Sequence, residues 1–107
     1  MASIDTRNWA AWENNMRPGP VRLHATGEVK TPNAHKLPRL TRAKPQGINP
    51  KILILDLTVE ETGKGGIEVE DFRRAYYDEE CKPEQFTEVQ INWEGSVLQM
   101  IKVERVF

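Results

Sequence analysis

Asp56 is the one charge inside the longest apolar run of the chain, Ile52-Leu53-Ile54-Leu55-Asp56-Leu57-Thr58-Val59. A carboxylate taken out of water must be paired or must change its ionisation. The sequence therefore predicts a structural ion pair, with Arg39 or Arg42 of a neighbouring strand as the donor. Catalysis by Asp56 would need a second titrating group beside it, which the sequence does not place. Other catalytic constellations are missing. His24 and His35 are eleven residues apart and Cys81 is the single cysteine, so the close Cys/His pairs of a zinc site are absent. Asp78-Glu79-Glu80 has neither the alternating ligands nor the glycine of a calcium loop. Gly63-Lys64-Gly65-Gly66 lacks the spacing of a phosphate-binding loop. No metal and no cofactor is expected.

Nucleophiles are also poorly provided for. Ser3 lies near the N-terminus, and Ser96 follows Gly95 without a Gly-x-Ser-x-Gly elbow. Cys81 sits in an acidic segment, which raises a thiol pKa and blunts its reactivity. The balance leans away from an enzyme. Two groups remain for binding. Trp9, Trp12 and Met16, with the apolar terminus Val106-Phe107, form a candidate interface, since tryptophan is enriched at binding hot spots. Trp9, Trp12, Phe72, Tyr76, Tyr77 and Trp93 are either core or the lining of an aromatic groove.

The elements that must position these residues follow from periodicity. Trp9, Trp12 and Met16 at i, i+3 and i+7 behind Asp5 or Thr6 predict a short helix over residues 3–16, ended by Arg17-Pro18-Gly19-Pro20. Val21, Leu23, Ala25, Gly27 and Val29 alternate with polar residues, which predicts a half-buried strand. Lys36 to Lys44 is a weaker strand, placed at an edge by Pro38. The run from Ile52 reads as a central strand buried on both faces, entered through the turn Pro45-Gln46-Gly47-Ile48-Asn49-Pro50 with Gly47 as the candidate for a positive φ. Ile67 to Tyr77 reads as a further strand, with a helix over residues 69–80 as its rival. Thr87 to Trp93, Glu94-Gly95-Ser96 and Val97 to Phe107 read as a hairpin. About six short strands predict an all-β domain spanning 1–107. The expected form is a small antiparallel β-sandwich of Ig-like or Greek-key character, with a β-core over 20–107 and a small β-barrel as the alternative.

Charge adds a second constraint. Residues 1–51 hold nine Lys/Arg against three Asp/Glu, whereas residues 52–107 hold six against thirteen. Such a split suggests either a polyanion-binding face or basic and acidic strands that pair side by side. No aromatic residue occurs between Trp12 and Phe72, so the basic segment lacks stacking platforms of its own. That absence and an acidic pI near 6.1 disfavour nucleic acid. No apolar run has membrane-spanning length and no leader pattern opens the chain, so the expectation is a cytoplasmic protein with no membrane contact.

The segments Thr26-Gly27-Glu28-Val29 with Thr31-Pro32-Asn33, and Pro45-Gln46-Gly47-Ile48-Asn49-Pro50 with Leu55-Asp56-Leu57, resemble a pattern in small uncharacterised bacterial proteins. The resemblance implies a stand-alone bacterial domain and brings no known activity or catalytic residue. Together these readings predict a non-enzymatic interaction module, for a protein partner or a second copy of itself. The alternative is a small-ligand or carbohydrate binder using the aromatic groove, and an enzyme of unknown class comes third.

Overall fold

The computed structural model describes residues 4–16, 18–63 and 69–107. Its strands are β1 (Thr6–Asn14), β2 (Arg22–Thr31), β3 (Lys36–Arg42), β4 (Ile52–Glu61), β5 (Asp71–Glu80), β6 (Glu88–Trp93) and β7 (Ser96–Val106). All seven belong to one sheet in the order β3-β4-β6-β7-β1-β2-β5. The sheet curls until its terminal strands β3 and β5 approach each other, so that it nearly closes into a barrel. Pairs β1–β7 and β4–β6 are parallel and the other pairs antiparallel.

This corrects two expectations. There is no sandwich: one mixed sheet rolls its apolar face inward, the barrel alternative, which brings the two edges towards each other instead of leaving four exposed. Nor is residues 3–16 a helix. Its described part is strand β1, which pairs with β2 on one side and β7 on the other. A strand held on both sides satisfies its backbone groups in ladders, and this outweighs the weak helical signal of two bulky tryptophans. The helical reading of residues 69–80 also gives way to a strand, β5. Ser3, Arg17, Ile67 and residues 64–66 of the glycine-rich loop lie outside the described residues.

The helical spacing of Trp9 and Trp12 misled because β1 contains a bulge. Arg7 pairs with Glu28 and Ala10 with Thr26, so Asn8 and Trp9 together oppose Gly27. Asn8 takes a positive φ of 56°, which asparagine tolerates better than most residues. Trp9 then lies over Gly27, where any Cβ would overlap the indole. The Trp9 Nε1–H donates to Thr6 Oγ1 at 2.9 Å.

The period-two patterns hold elsewhere. Leu23, Ala25 and Val29 of β2, Leu53, Leu55 and Leu57 of β4, and Val89 and Ile91 of β6 fill the interior together with Ala75, Phe86 and Ile101. Strand β4 is not buried on both faces, since Ile52, Ile54 and Asp56 are only half covered. Part of that cover comes from the preceding turn. Beyond Arg42, where β3 ends, the Gln46 side-chain amide stands in for a strand. It accepts from Ile54 N at 2.8 Å and donates to the carbonyls of Ile54 and Ala43 at 2.8 Å. Gly47 does not have the expected positive φ; a Cβ there would stand 3.1 Å from Ile54 Cδ1. In the β6–β7 hairpin Glu94 (φ 49°) and Gly95 (φ 80°) make the two-residue turn, both left-handed as a type I′ turn requires.

Gly27→Ala is expected to force the Trp9 indole off its seat, because the clash is with a ring wedged in a bulge. The overpacking should remove about 1–3 kcal/mol of stability, and a thermal melt should register it as a midpoint lower by several degrees. A wild-type midpoint in the variant would show that Trp9 does not need the gap.

Candidate functional site

The strand geometry sorts the aromatic residues that the sequence groups together. Trp9, Tyr77 and Trp93 pack against the core, whereas Trp12, Phe72 and Tyr76 point away from the barrel axis. In β1, residues 9 and 12 have opposite parity, so a strand sends them to opposite faces where a helix would have joined them.

Strand order supplies the outer site. Strand β2 lies between β1 and β5, and Trp12 is registered with His24. The Trp12 and His24 rings are stacked, 5.2 Å apart and inclined by 16°. On the far side His24 meets Tyr76 at 5.9 Å and 40°, with Nδ1 hydrogen-bonded to the hydroxyl. The Arg74 guanidinium lies 5.1 Å from the Tyr76 ring centre. Trp12, Asn14, His24, Arg74 and Tyr76 line an open groove of about 520 Å³. Trp12 also borders a second groove of about 510 Å³ at the β1–β7 joint, which outward Ala10, Lys102, Glu104 and Val106 share with the inward-facing Trp9, Ala11 and Ile101. Two grooves therefore meet at one indole. Burial first, and then the Asp78 carboxylate, push the Tyr76 hydroxyl above its ordinary range.

Other predicted residues separate. Arg39 Nε pairs with Glu60 at 2.7 Å, and Arg42 Nη1 with Glu79 at 2.7 Å. Asp56 faces outward between Thr41 and Asn92 and is in no ion pair among the described residues, so the expected Asp56–Arg39 or Asp56–Arg42 pair does not form. Met16, Val106 and Phe107 are exposed, with the Arg105 guanidinium 4.8 Å from the Phe107 ring centre. Arg42 instead joins β3 to β5: Glu79 also accepts from the Tyr77 hydroxyl at 2.8 Å. Burial, followed by that bond to Glu79, pushes Tyr77 up to about 12. The basic and acidic halves pair side by side. Arg22 meets Asp78 at 2.6 Å and Lys30 meets Glu70 at 3.2 Å, while Arg7 meets Glu28 at 3.0 Å within the N-terminal half.

Sequence reasoning missed Glu13. Its side chain is fully buried, on the inward face of β1, and its registered neighbour across the parallel joint is Arg105. Glu13 accepts from Arg105 Nε at 2.9 Å, Asn15 Nδ2 at 2.8 Å and the Glu84 amide at 2.7 Å. Its inward parity with Ala11 was the available signal, hidden by the helical reading. Cys81 is half-buried; burial, then Glu13 and Glu79, push its thiol up, away from a reactive thiolate. Among the described residues no group of three His, Cys, Asp or Glu side chains could hold a metal, and no helix is long and apolar enough to cross a membrane. No family model, curated protein or solved structure matches the chain.

For Glu13, burial acts to raise the carboxyl pKa, but the three donors outweigh it and hold the group below its ordinary 4.5. A folded value below the unfolded one stabilises the protein above the unfolded pKa, and this contribution is lost as pH falls through the folded value. Glu13→Gln is therefore expected to lose on the order of 1–3 kcal/mol at pH 7 and to narrow its gap to wild type below pH 4.5. Melting midpoints from pH 3 to 7 check it, and a constant gap across that range would refute it.

Proposed function

We propose that the chain is a non-enzymatic interaction module that docks a partner across the outer face of β7, β1, β2 and β5, with Trp12 at the centre. The observation that carries this reading is the indole shared by two contiguous grooves. A large, partly exposed ring between grooves is the usual chemistry of a binding anchor. The backbone of β7, β1 and β2 beneath is committed to ladders on both sides, so affinity there must come from side chains. Exposed Val106 borders the same surface and widens it along β7. Catalysis receives little support from these grooves. The one hydroxyl beside a base is Tyr76 against His24 Nδ1, and its pKa is pushed up, the opposite of activation.

A second reading, a small-ligand or carbohydrate binder on the same rings, is favoured by the size of each groove, which falls within the range of small-molecule sites. Peptide and glycan arrays probed with wild type and with Trp12→Ala separate the two. The expected result is capture of one ligand class by wild type, weakened about tenfold in the variant, with a matching melt to confirm folding. Equal capture by wild type and variant of everything presented would overturn both readings. Light scattering on the same samples tests a second copy as the partner.

A further inference from the structure

The groove over β1, β2 and β5 is rich in hydrogen-bond donors and poor in acceptors. Asn14 Oδ1 already accepts from the Met16 amide at 2.9 Å, and Arg74 Nε donates to Thr26 Oγ1 at 3.1 Å. Tyr76 and His24 engage each other. Among the described residues this leaves the Trp12 indole N–H, the Asn14 side-chain amide, the terminal Arg74 nitrogens and His24 Nε2 without a partner. The first three are donors, and Nε2 is a donor when Nδ1 accepts the Tyr76 proton. No carboxylate lines the groove, and Arg74 is in no ion pair among the described residues. A complementary ligand thus has acceptors, ring faces and one negative charge.

Resting on the interaction-module reading, we propose that this groove binds a proline-rich segment in the polyproline II conformation, with an acidic residue placed to meet Arg74. Proline has a carbonyl but no N–H, so such a segment offers acceptors without unpaired donors. Its carbonyls are free of internal hydrogen bonds, and its stiffness leaves little entropy to lose on docking. The spacing agrees. From β1 to β5 is two interstrand steps, roughly 10 Å, close to one polyproline II turn of roughly 9 Å. Prolines three residues apart can therefore lie against the outer edges of the stacked Trp12–His24 pair and of Tyr76.

Three rival ligands fit less well. Strand addition is blocked at β1 and β2, which have ladder partners on both sides, and the open edge of β5 is faced by β3 through the Arg42–Glu79 bridge. Sugar hydroxyls would bring donors of their own to a groove whose side-chain oxygens, Asn14 Oδ1 and the Tyr76 hydroxyl, are each already engaged once. A nucleic-acid strand needs several cations for its phosphates, and on this face Arg7, Arg22 and Lys30 are already paired with Glu28, Asp78 and Glu70.

The test is a tryptophan-fluorescence titration with a synthetic peptide carrying Pro-x-x-Pro repeats and a single glutamate. The same peptide with alanine for proline, a neutral oligosaccharide and oligo-dT serve as comparators. Saturable binding of the proline peptide is expected, at least about tenfold tighter than its alanine version. Trp12→Phe should retain it, as followed by calorimetry, and Tyr76→Ala should weaken it about tenfold. Arg74→Ala should weaken the glutamate peptide and leave a glutamine version unchanged. No binding of the proline peptide, equal binding of its alanine version, or preference for sugar or oligo-dT would overturn the proposal. If another ligand binds and depends on Trp12, the proline assignment alone falls. If no probe distinguishes Trp12→Ala from wild type, the docking face falls with it.

Discussion

The buried Glu13 carboxylate, accepting from Arg105 across a short parallel joint, is the contact on which the sheet's unity depends. Strands β1 and β7 are registered at only four positions, from Ala11 with Val103 to Asn14 with Val106. On one side of that joint stand β2 and β5, and on the other β6, β4 and β3. A buried charge is strongly unfavourable unless its hydrogen-bonding capacity is filled. Arg105, Asn15 and the Glu84 amide fill it, drawing in β7, the end of β1 and the β5–β6 connection. The same residues seat Trp12, one position away in β1, at the meeting point of the two outer grooves.

Closure on the opposite side relies on side chains. Arg42 reaches across to Glu79, which Tyr77 of the same strand holds in place, linking the two terminal strands where no ladder joins them. Gln46 extends the β3 side of β4 for one more peptide by pairing with Ile54. Both devices cover backbone edges that would otherwise invite pairing with another chain. Cross-strand ion pairs between basic β2 and acidic β5 are exposed and individually worth little. Their larger effect is to neutralise most of the cations on the outer face, which sets the charge that a ligand meets there.

Function and stability are divided between the faces of one strand. Inward, Trp9 over Gly27, Ala11 and Glu13 hold β1 in place, Trp9 and Ala11 also reaching the groove at the β1–β7 joint; outward, Trp12 and Asn14 border the grooves. The bulge at Asn8 and Trp9 lets a large indole enter where β2 offers only a hydrogen atom. The outer rings thereby rest on a strand fixed on both sides, a rigid base that suits recognition by side chains.

Much of the architecture was legible from local pattern. Alternation in β2, β4 and β6 assigned their inward residues, Glu94-Gly95 marked the hairpin, and opposite charges in the two halves foretold pairing between strands. The helix at the N-terminus misread because i, i+3, i+7 spacing and a bulged strand can present the same tryptophans. The sandwich misread because period-two patterning says which face is buried and not how a sheet curls. The candidate site was hidden for a related reason: Trp12 and Tyr76 stand sixty-four positions apart, with His24 between them in sequence, and only strand order makes the three neighbours. The sequence by itself determined an all-β chain and its buried faces, because alternation is a local property of the backbone. Tertiary structure decided the outer aromatic row, the Glu13 lock and the Arg42–Glu79 closure, because each depends on which distant strand lies alongside.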